Sequence, residues 1–282
     1  MLTAHLLRGA LLSPLKPRPH PDAPLDTTHR TLPAATPDPR HLTAYARLCG
    51  YRTEADALLT YPHILGFPLA MRIMSTRAFP LPLIGLVHTS VDIARSRPLH
   101  TTEPLEIDVH AAKLSPHRRG TEATLVTEAR DADGTTVWAS SSTYLARHKT
   151  SSNNSETAPR PAKTPDPLPA LADWPLPADL GRRYAAVSGD RNPIHLHPLT
   201  ARALGFPRTI AHGMWTVARC LAEQEADAEG ALHVHAEFKA PVMLPGTVTY
   251  AATPDGEAFQ LRGAKGELHL TGSVSQRLPA RG

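Results

Sequence analysis

Residues 188 to 198 read Ser-Gly-Asp-Arg-Asn-Pro-Ile-His-Leu-His-Pro and gather a carboxylate, an amide and two imidazoles into one short stretch. Asp190 and His195 are the pair with chemistry in them. An imidazole titrates near neutral pH and a carboxylate can orient or deprotonate, so together they can hold a water and act on it as general acid and base. Pro193 disfavours helical geometry at Asn192, so a preceding helix has to end near Ser188 and Gly189, where the chain turns extended. The two side chains then sit on a bent loop and can converge on one point. Singly, Asp190 reads as a turn or cap residue and His195 as a structural histidine. Ser188 reads as a helix-end residue, with substrate contact as its alternative.

What lifts the pair above those readings is a second element, Ile-Ala-His-Gly-Met-Trp at residues 210 to 215. Met214, Val217, Ala218 and Leu221 form the i, i+3, i+4, i+7 stripe of a helix with one buried face, so the helix begins near His212 or Gly213. Its first N–H groups lack acceptors within the helix and carry the positive end of the dipole. Gly213 has no side chain to keep a ligand oxygen from its amide. An acid–base pair beside a helix N-terminus suits chemistry that turns a carbonyl compound into an enolate-like oxyanion.

The elements around this stretch occur twice. Tyr184 to Asp190 reads YAAVSGD and Tyr45 to Tyr51 reads YARLCGY, with Tyr, Ala and Gly at matching offsets. Thr209 to Met214, TIAHGM, answers Thr60 to Leu65, TYPHIL, with Thr and His in register. After each comes a helical pattern and then strands. In the back half Leu232, Val234, Ala236 and Phe238 alternate with polar residues, followed by TVTYAA, a turn at Asp255-Gly256 between strands, and ELHLTGSVS. The front half runs LIGLVHTSVDI, LEIDVHAAKL, TEATLVTEA, a turn at Asp133-Gly134 and TVWASSSTYLA. One helix followed by an antiparallel meander, twice, implies two copies of one α+β unit. The copies differ at one place: His63 follows Gly50 by thirteen positions and His212 follows Gly189 by twenty-three. The polar loop therefore belongs to the back copy alone. His212, matched by His63, reads as structural in both.

The span YAAVSGDRNPIHLHPLTARALGFPRTIAHGMW, with FKAPVMLPGT from Phe238 to Thr247, resembles the signature of MaoC-like dehydratases, the (R)-specific enoyl-thioester hydratase family. The resemblance implies a double hot-dog fold, in which each copy wraps an antiparallel sheet around a long helix and one copy has lost its site. It further implies that Asp190 and His195 hold and activate a water, that Asn192 orients the pair, and that the Gly213 amide binds a thioester carbonyl. Water would add reversibly across a trans-2-enoyl thioester of coenzyme A or acyl-carrier protein to give the (R)-3-hydroxyacyl thioester, with no metal or redox cofactor. His197 departs from the acidic or small polar residue that many relatives carry there, which touches the rim of the site and not the dyad.

The division expected is a degenerate copy at 1–146, a Pro/Ser-rich linker at 147–174 and a catalytic copy at 175–282. A shorter Pro-rich stretch, residues 14 to 40, separates the first apolar segment from the rest of the front copy. That first segment, MLTAHLLRGALL, is broken by His5 and Arg8 and lacks a clear cleavage site, which argues against a signal peptide. No stretch approaches the roughly 20 apolar residues of a membrane span. The net charge of +4 comes from scattered arginines, and aromatics make up 5%, so no nucleic-acid module is expected. Cys49 and Cys220, the two cysteines, form no disulfide framework and point to a reducing, cytoplasmic setting.

His195 with His197, and His233 with His235, invite a metal reading, but no Cys or clustered acid nearby in sequence closes either set. Arg191 and Arg208 flank the loop without a feature that directs them to a phosphate. A hot-dog thioesterase and a non-catalytic acyl-thioester-binding subunit are the alternatives to the hydratase. The former would cleave the thioester, and the latter would be indifferent to loss of Asp190 and His195. Two copies in one chain can imitate a hot-dog dimer, so a monomer and a homodimer are both open.

Overall fold

The computed structural model describes residues 16, 18–150, 165–224 and 230–276. The apolar opening segment and the Ser/Asn-rich middle of the expected linker lie outside the described residues. The first unit consists of β1 (Arg30–Ala35), α1 (Pro39–Cys49), α2 (Glu54–Ala57), α3 (Tyr61–Met74), β2 (Leu86–Arg95), β3 (Leu105–His117), β4 (Gly120–Arg130) and β5 (Thr136–Arg147). The second has β6 (Ala170–Leu176), α4 (Leu180–Ser188), α5 (Pro193–Leu196), α6 (Pro198–Ala203), α7 (Gly213–Glu223), β7 (Leu232–Phe238), β8 (Gly246–Ala252), β9 (Ala258–Gly263) and β10 (Leu268–Ser275).

All ten strands form one antiparallel sheet in the order β1-β3-β4-β5-β2-β7-β10-β9-β8-β6. The two units meet where β2 pairs with β7, from Ser90 opposite Glu237 to Arg95 opposite Leu232. The period-2 pattern puts Val91 and Ile93 of β2, and Val234 and Ala236 of β7, on the buried face at this seam. Asp92, His233 and His235 fall on the other face. There His235 Nδ1 lies 2.8 Å and His233 Nε2 3.3 Å from Asp92 Oδ1, so the acid missing nearby in sequence arrives from the neighbouring strand.

Two strands lie in stretches that composition marks as Pro-rich connection. β1 contains Pro33 and pairs with β3, and β6 contains Pro175 and pairs with β8. Both occupy an outer edge of the sheet, where a residue without an N–H leaves no ladder bond unmade. The expected linker thus ends in a strand at Ala170.

The repeat is legible in the helix ends. α1 stops at Gly50 (φ 82°) and α4 at Gly189 (φ 74°), both in the left-handed conformation that glycine adopts without strain. Tyr45 and Tyr184, the matched tyrosines, are fully buried with ring centroids 6.2 Å apart. α3 is apolar on nearly every face and is buried accordingly. It begins at Tyr61, so His63 lies inside its first turn, whereas α7 begins at Gly213 and His212 precedes it. In the first unit the residue matched to Gly213 is Ile64, so no bare amide opens there.

Candidate active site

Hydrogen bonds to the chain's own backbone shape the polar loop. Ser188 Oγ accepts from the Asp190 N–H at 3.1 Å, and Asp190 Oδ1 accepts from the Asn192 N–H at 3.0 Å. Asn192 Oδ1 accepts from the Ile194 N–H at 3.4 Å, capping the single turn α5. Ser188 is buried and supports Asp190 from below. Asn192 fixes both the carboxylate and the turn carrying His195. His197 faces solvent and caps α6 by accepting from the Leu199 N–H at 3.2 Å.

His195 is 8% exposed, and its Nδ1–H donates to the Ile210 carbonyl at 2.8 Å. That bond fixes the tautomer and leaves Nε2 with a free lone pair. Burial holds the His195 pKa below the usual imidazole value, opposed by the Asp190 charge and by the Ile210 bond, so the ring is neutral near pH 7. His212 stacks on His195 with centroids 3.6 Å apart and donates from Nε2 to the Asp190 carbonyl at 3.0 Å. Burial, and then His195 beside it, keep His212 far on the neutral side. One nitrogen or oxygen of each of Asp190, His195 and His212 lies within 4.8 Å of the others.

The loop needs two glycines that do different work. A Cβ on Gly181 of α4 would stand 2.1 Å from the His195 carbonyl oxygen, so only glycine lets α4 approach the turn carrying His195 so closely. Gly213 opens α7, and a Cβ there would meet the Phe238 ring at 2.8 Å. No backbone acceptor among the described residues takes the Gly213 N–H.

The first unit lines the same site. His88 stacks on Tyr144 at 4.5 Å between centroids, packs against Phe238 at 4.7 Å and lies parallel to His63 at 6.4 Å. Burial lowers the His63 pKa to about 4 and the His88 pKa to about 3, and the Asp190 charge, acting the other way, reaches His63. The Tyr144 hydroxyl is pushed up by burial and then by Asp190. His63 is thus a wall of the second unit's site as well as a buried residue of its own. Sequence periodicity gave no sign of His88, Tyr144 or Gly181; the register of His63 with His212 was the one available signal.

Two side-chain groups among the described residues bring three potential metal ligands together, namely Asp190, His195 and His212, and His29, Asp108 and His110. In the first, His195 Nδ1 and His212 Nε2 already donate to carbonyls, leaving one free nitrogen on each ring.

Two helix-and-sheet units sharing one continuous sheet, with the polar Asp190–His195 loop in the second alone, define a double hot-dog protein. The chain belongs to the MaoC-like dehydratase family. Residues 155–268 match the MaoC like domain. It is 40% identical over 241 residues to the 3-hydroxyacyl-thioester dehydratase X of Mycobacterium tuberculosis, covering 84% of this chain and 85% of the relative. It is 32% identical to the enoyl-CoA hydratase ChsH3 of the same organism, over 59% of this chain and 64% of that one. The crystal structure of HtdX from M. tuberculosis superposes with a TM-score of 0.76 at 33% identity, covering 89% of this chain and all of that one. A MaoC-like dehydratase from Phytophthora capsici shares the fold, with a TM-score of 0.68 at 19% identity over 93% of this chain and 100% of that one.

Proposed function

We propose that the protein is a hydro-lyase interconverting trans-2-enoyl and (R)-3-hydroxyacyl thioesters, with Asp190 and His195 as its catalytic residues. The observation that carries this is the gathering of Asp190, a neutral, buried His195 and His212 within 4.8 Å of one another at the start of α7, where the Gly213 N–H has no backbone acceptor among the described residues. The names of the M. tuberculosis relatives, a 3-hydroxyacyl-thioester dehydratase and an enoyl-CoA hydratase, support the same class.

In the hydration direction a water held between Asp190 and His195 Nε2 loses a proton to the dyad as its oxygen bonds to C3. Electrons of the C2–C3 double bond move toward the thioester carbonyl. The oxyanion is met by the Gly213 N–H at the positive end of α7. The dyad then returns the proton to C2 on the face the water came from, so addition is syn. Dehydration reverses each step. The first unit, which lacks the loop, serves as the opposite wall through His63, His88 and Tyr144.

The test is spectrophotometric: the protein is mixed with crotonyl-CoA and longer enoyl-CoA thioesters, and loss of the conjugated enoyl absorbance is followed. Hydration to the (R)-3-hydroxy product supports the reading. Release of free thiol without hydration would make the protein a thioesterase instead.

A further inference from the structure

The second three-ligand group is built by β1 and β3 at the edge of the sheet and contains no residue of the polar loop. Ile107, Val109 and Ala111 of β3 are fully buried, so Asp108 and His110, which alternate with them, lie on the opposite face. β1 pairs Arg30 with Val109 and Thr31 with Asp108, and the same register carried back one residue sets His29 beside His110. The two rings stack with centroids 4.1 Å apart, and one ligand atom of each of His29, Asp108 and His110 lies within 4.8 Å of the others. Both Nδ1 atoms face one carboxylate oxygen. His29 Nδ1 hydrogen-bonds Asp108 Oδ1 at 2.5 Å, and His110 Nδ1 stands 3.6 Å from the same atom.

Asp108 is a buried carboxylate without a fixed cation. It is 6% exposed, and among the described residues no lysine or arginine pairs with it. Its hydrogen-bond partners are the His29 ring and the Thr31 hydroxyl, which donates to Oδ2 at 3.1 Å. Buried charges are ordinarily paired or coordinate metals. Glu128, opposite Asp108 on β4, is taken up by Arg130. His110 Nδ1 is buried and has no hydrogen-bond partner, since 3.6 Å is too long for a direct bond to Asp108. A cation between the three atoms gives the carboxylate its counter-charge and the orphaned nitrogen its partner. The His29 side chain is 56% exposed, which leaves an entry path from solvent. The seam group of Asp92, His233 and His235 differs: its carboxylate is 43% exposed, and both rings lie within 3.3 Å of it.

We infer that His29, Asp108 and His110 form a zinc site that fastens the edge strand β1 to β3. Two imidazoles and a carboxylate are a donor set for zinc and its divalent transition-metal neighbours, whereas magnesium and calcium call for oxygen ligands. Tetrahedral bonds of about 2.0–2.1 Å place ligand atoms roughly 3.3 Å apart, and rotation of the exposed His29 side chain opens the set to that spacing. A water takes the fourth position. Few other contacts hold β1 in place: Thr31 to Ala34 are exposed, Pro33 supplies no N–H, and the register shifts between Leu32 and Ala35. Little apolar burial anchors the strand, so metal bonds across to β3 contribute directly to its stability.

The experiment titrates zinc chloride, by calorimetry at neutral pH, into the full chain freed of metal by chelator and dialysis. The background is D190N/H195A, which removes the other three-ligand group. Zinc is expected to bind with micromolar affinity or tighter, and H29A added to this background should weaken binding by at least about tenfold, as one of three ligands is lost. H29A alters an exposed side chain, and far-UV circular dichroism checks that the variant folds. H233A/H235A in the same background should leave binding unchanged. Saturating zinc should raise the Tm of the background protein and slow amide exchange in β1, with neither effect in the H29A protein. Absence of micromolar binding, full affinity in H29A, or loss of binding in H233A/H235A would each overturn the site. Zinc binding that leaves the β1 amides unprotected would overturn the fastening role.

Discussion

The imidazole of His212 lies flat against that of His195, 3.6 Å between centroids and 26° from parallel, while its Nε2 holds the backbone carbonyl of Asp190. One side chain thus sets both members of the candidate dyad, the ring by stacking and the carboxylate through its own peptide. In the first unit the matched histidine, His63, has no such loop to hold and lies 3.4 Å from Ser140 Oγ instead.

Loss of this brace is the first expectation. His212→Ala should leave the protein folded and lower kcat/KM by about 10²-fold, the scale of a misplacement near 1 Å in a catalytic group. His212→Asn, which keeps a donor, should recover part of the loss. If steady-state kinetics match wild type for both, the brace is unnecessary.

The dyad itself should be less forgiving. Asp190→Asn and His195→Ala are each expected to cut kcat by about 10²–10⁴, as befits loss of an acid–base group. KM should change little, and circular dichroism should stay native. A variant with wild-type kcat would remove that residue from the chemistry.

The position of Gly181 sets two effects against each other. Replacing a helical glycine by alanine ordinarily stabilises a helix by about 1 kcal/mol. Here the new Cβ would lie 2.1 Å from the His195 carbonyl oxygen, so α4 and α5 must separate. Gly181→Ala should therefore lower both the Tm and kcat, the latter by about 10²-fold. A rise in Tm with full activity would show that the contact relaxes freely.

The rate should depend on pH through His195. Burial lowers its pKa, so the base form persists below the usual imidazole value of about 6.5. The acid limb of kcat/KM is expected below that pH, with activity rising as pH increases through it. A limb at or above the usual value would contradict the buried, neutral assignment.

Stability should follow pH in the same direction for a separate reason. His63 and His88 titrate near 4 and 3 in the folded protein and near 6.5 when unfolded, so the unfolded chain binds more protons between those values. Their contribution is complete above about pH 6.5. It is lost as pH falls toward 4 and 3, at up to about 1.4 kcal/mol per unit for each ring. Denaturant melts between pH 7 and 4 would show the decline. Melts flat across that window would mean that these rings are not buried neutral.

Much of this protein is written locally and can be read in one dimension. The stripe of α7, the alternation of β7 and the end of α4 at Gly189 follow from periods and backbone preferences that neighbouring residues enforce. The Asp190–His195 loop stood out because proline and glycine bracket it and because the first copy lacks it. The edge strands β1 and β6 did not, since their proline-rich residues become strands only by pairing with β3 and β8, distant in sequence. Nor did the site's other wall. His63 and Tyr144 come within reach of the Asp190 charge because the β2–β7 pairing joins two half-sheets into one. Chemistry carried by one loop is visible in the order of residues, whereas chemistry shared between two units depends on contacts that only the folded chain brings within reach.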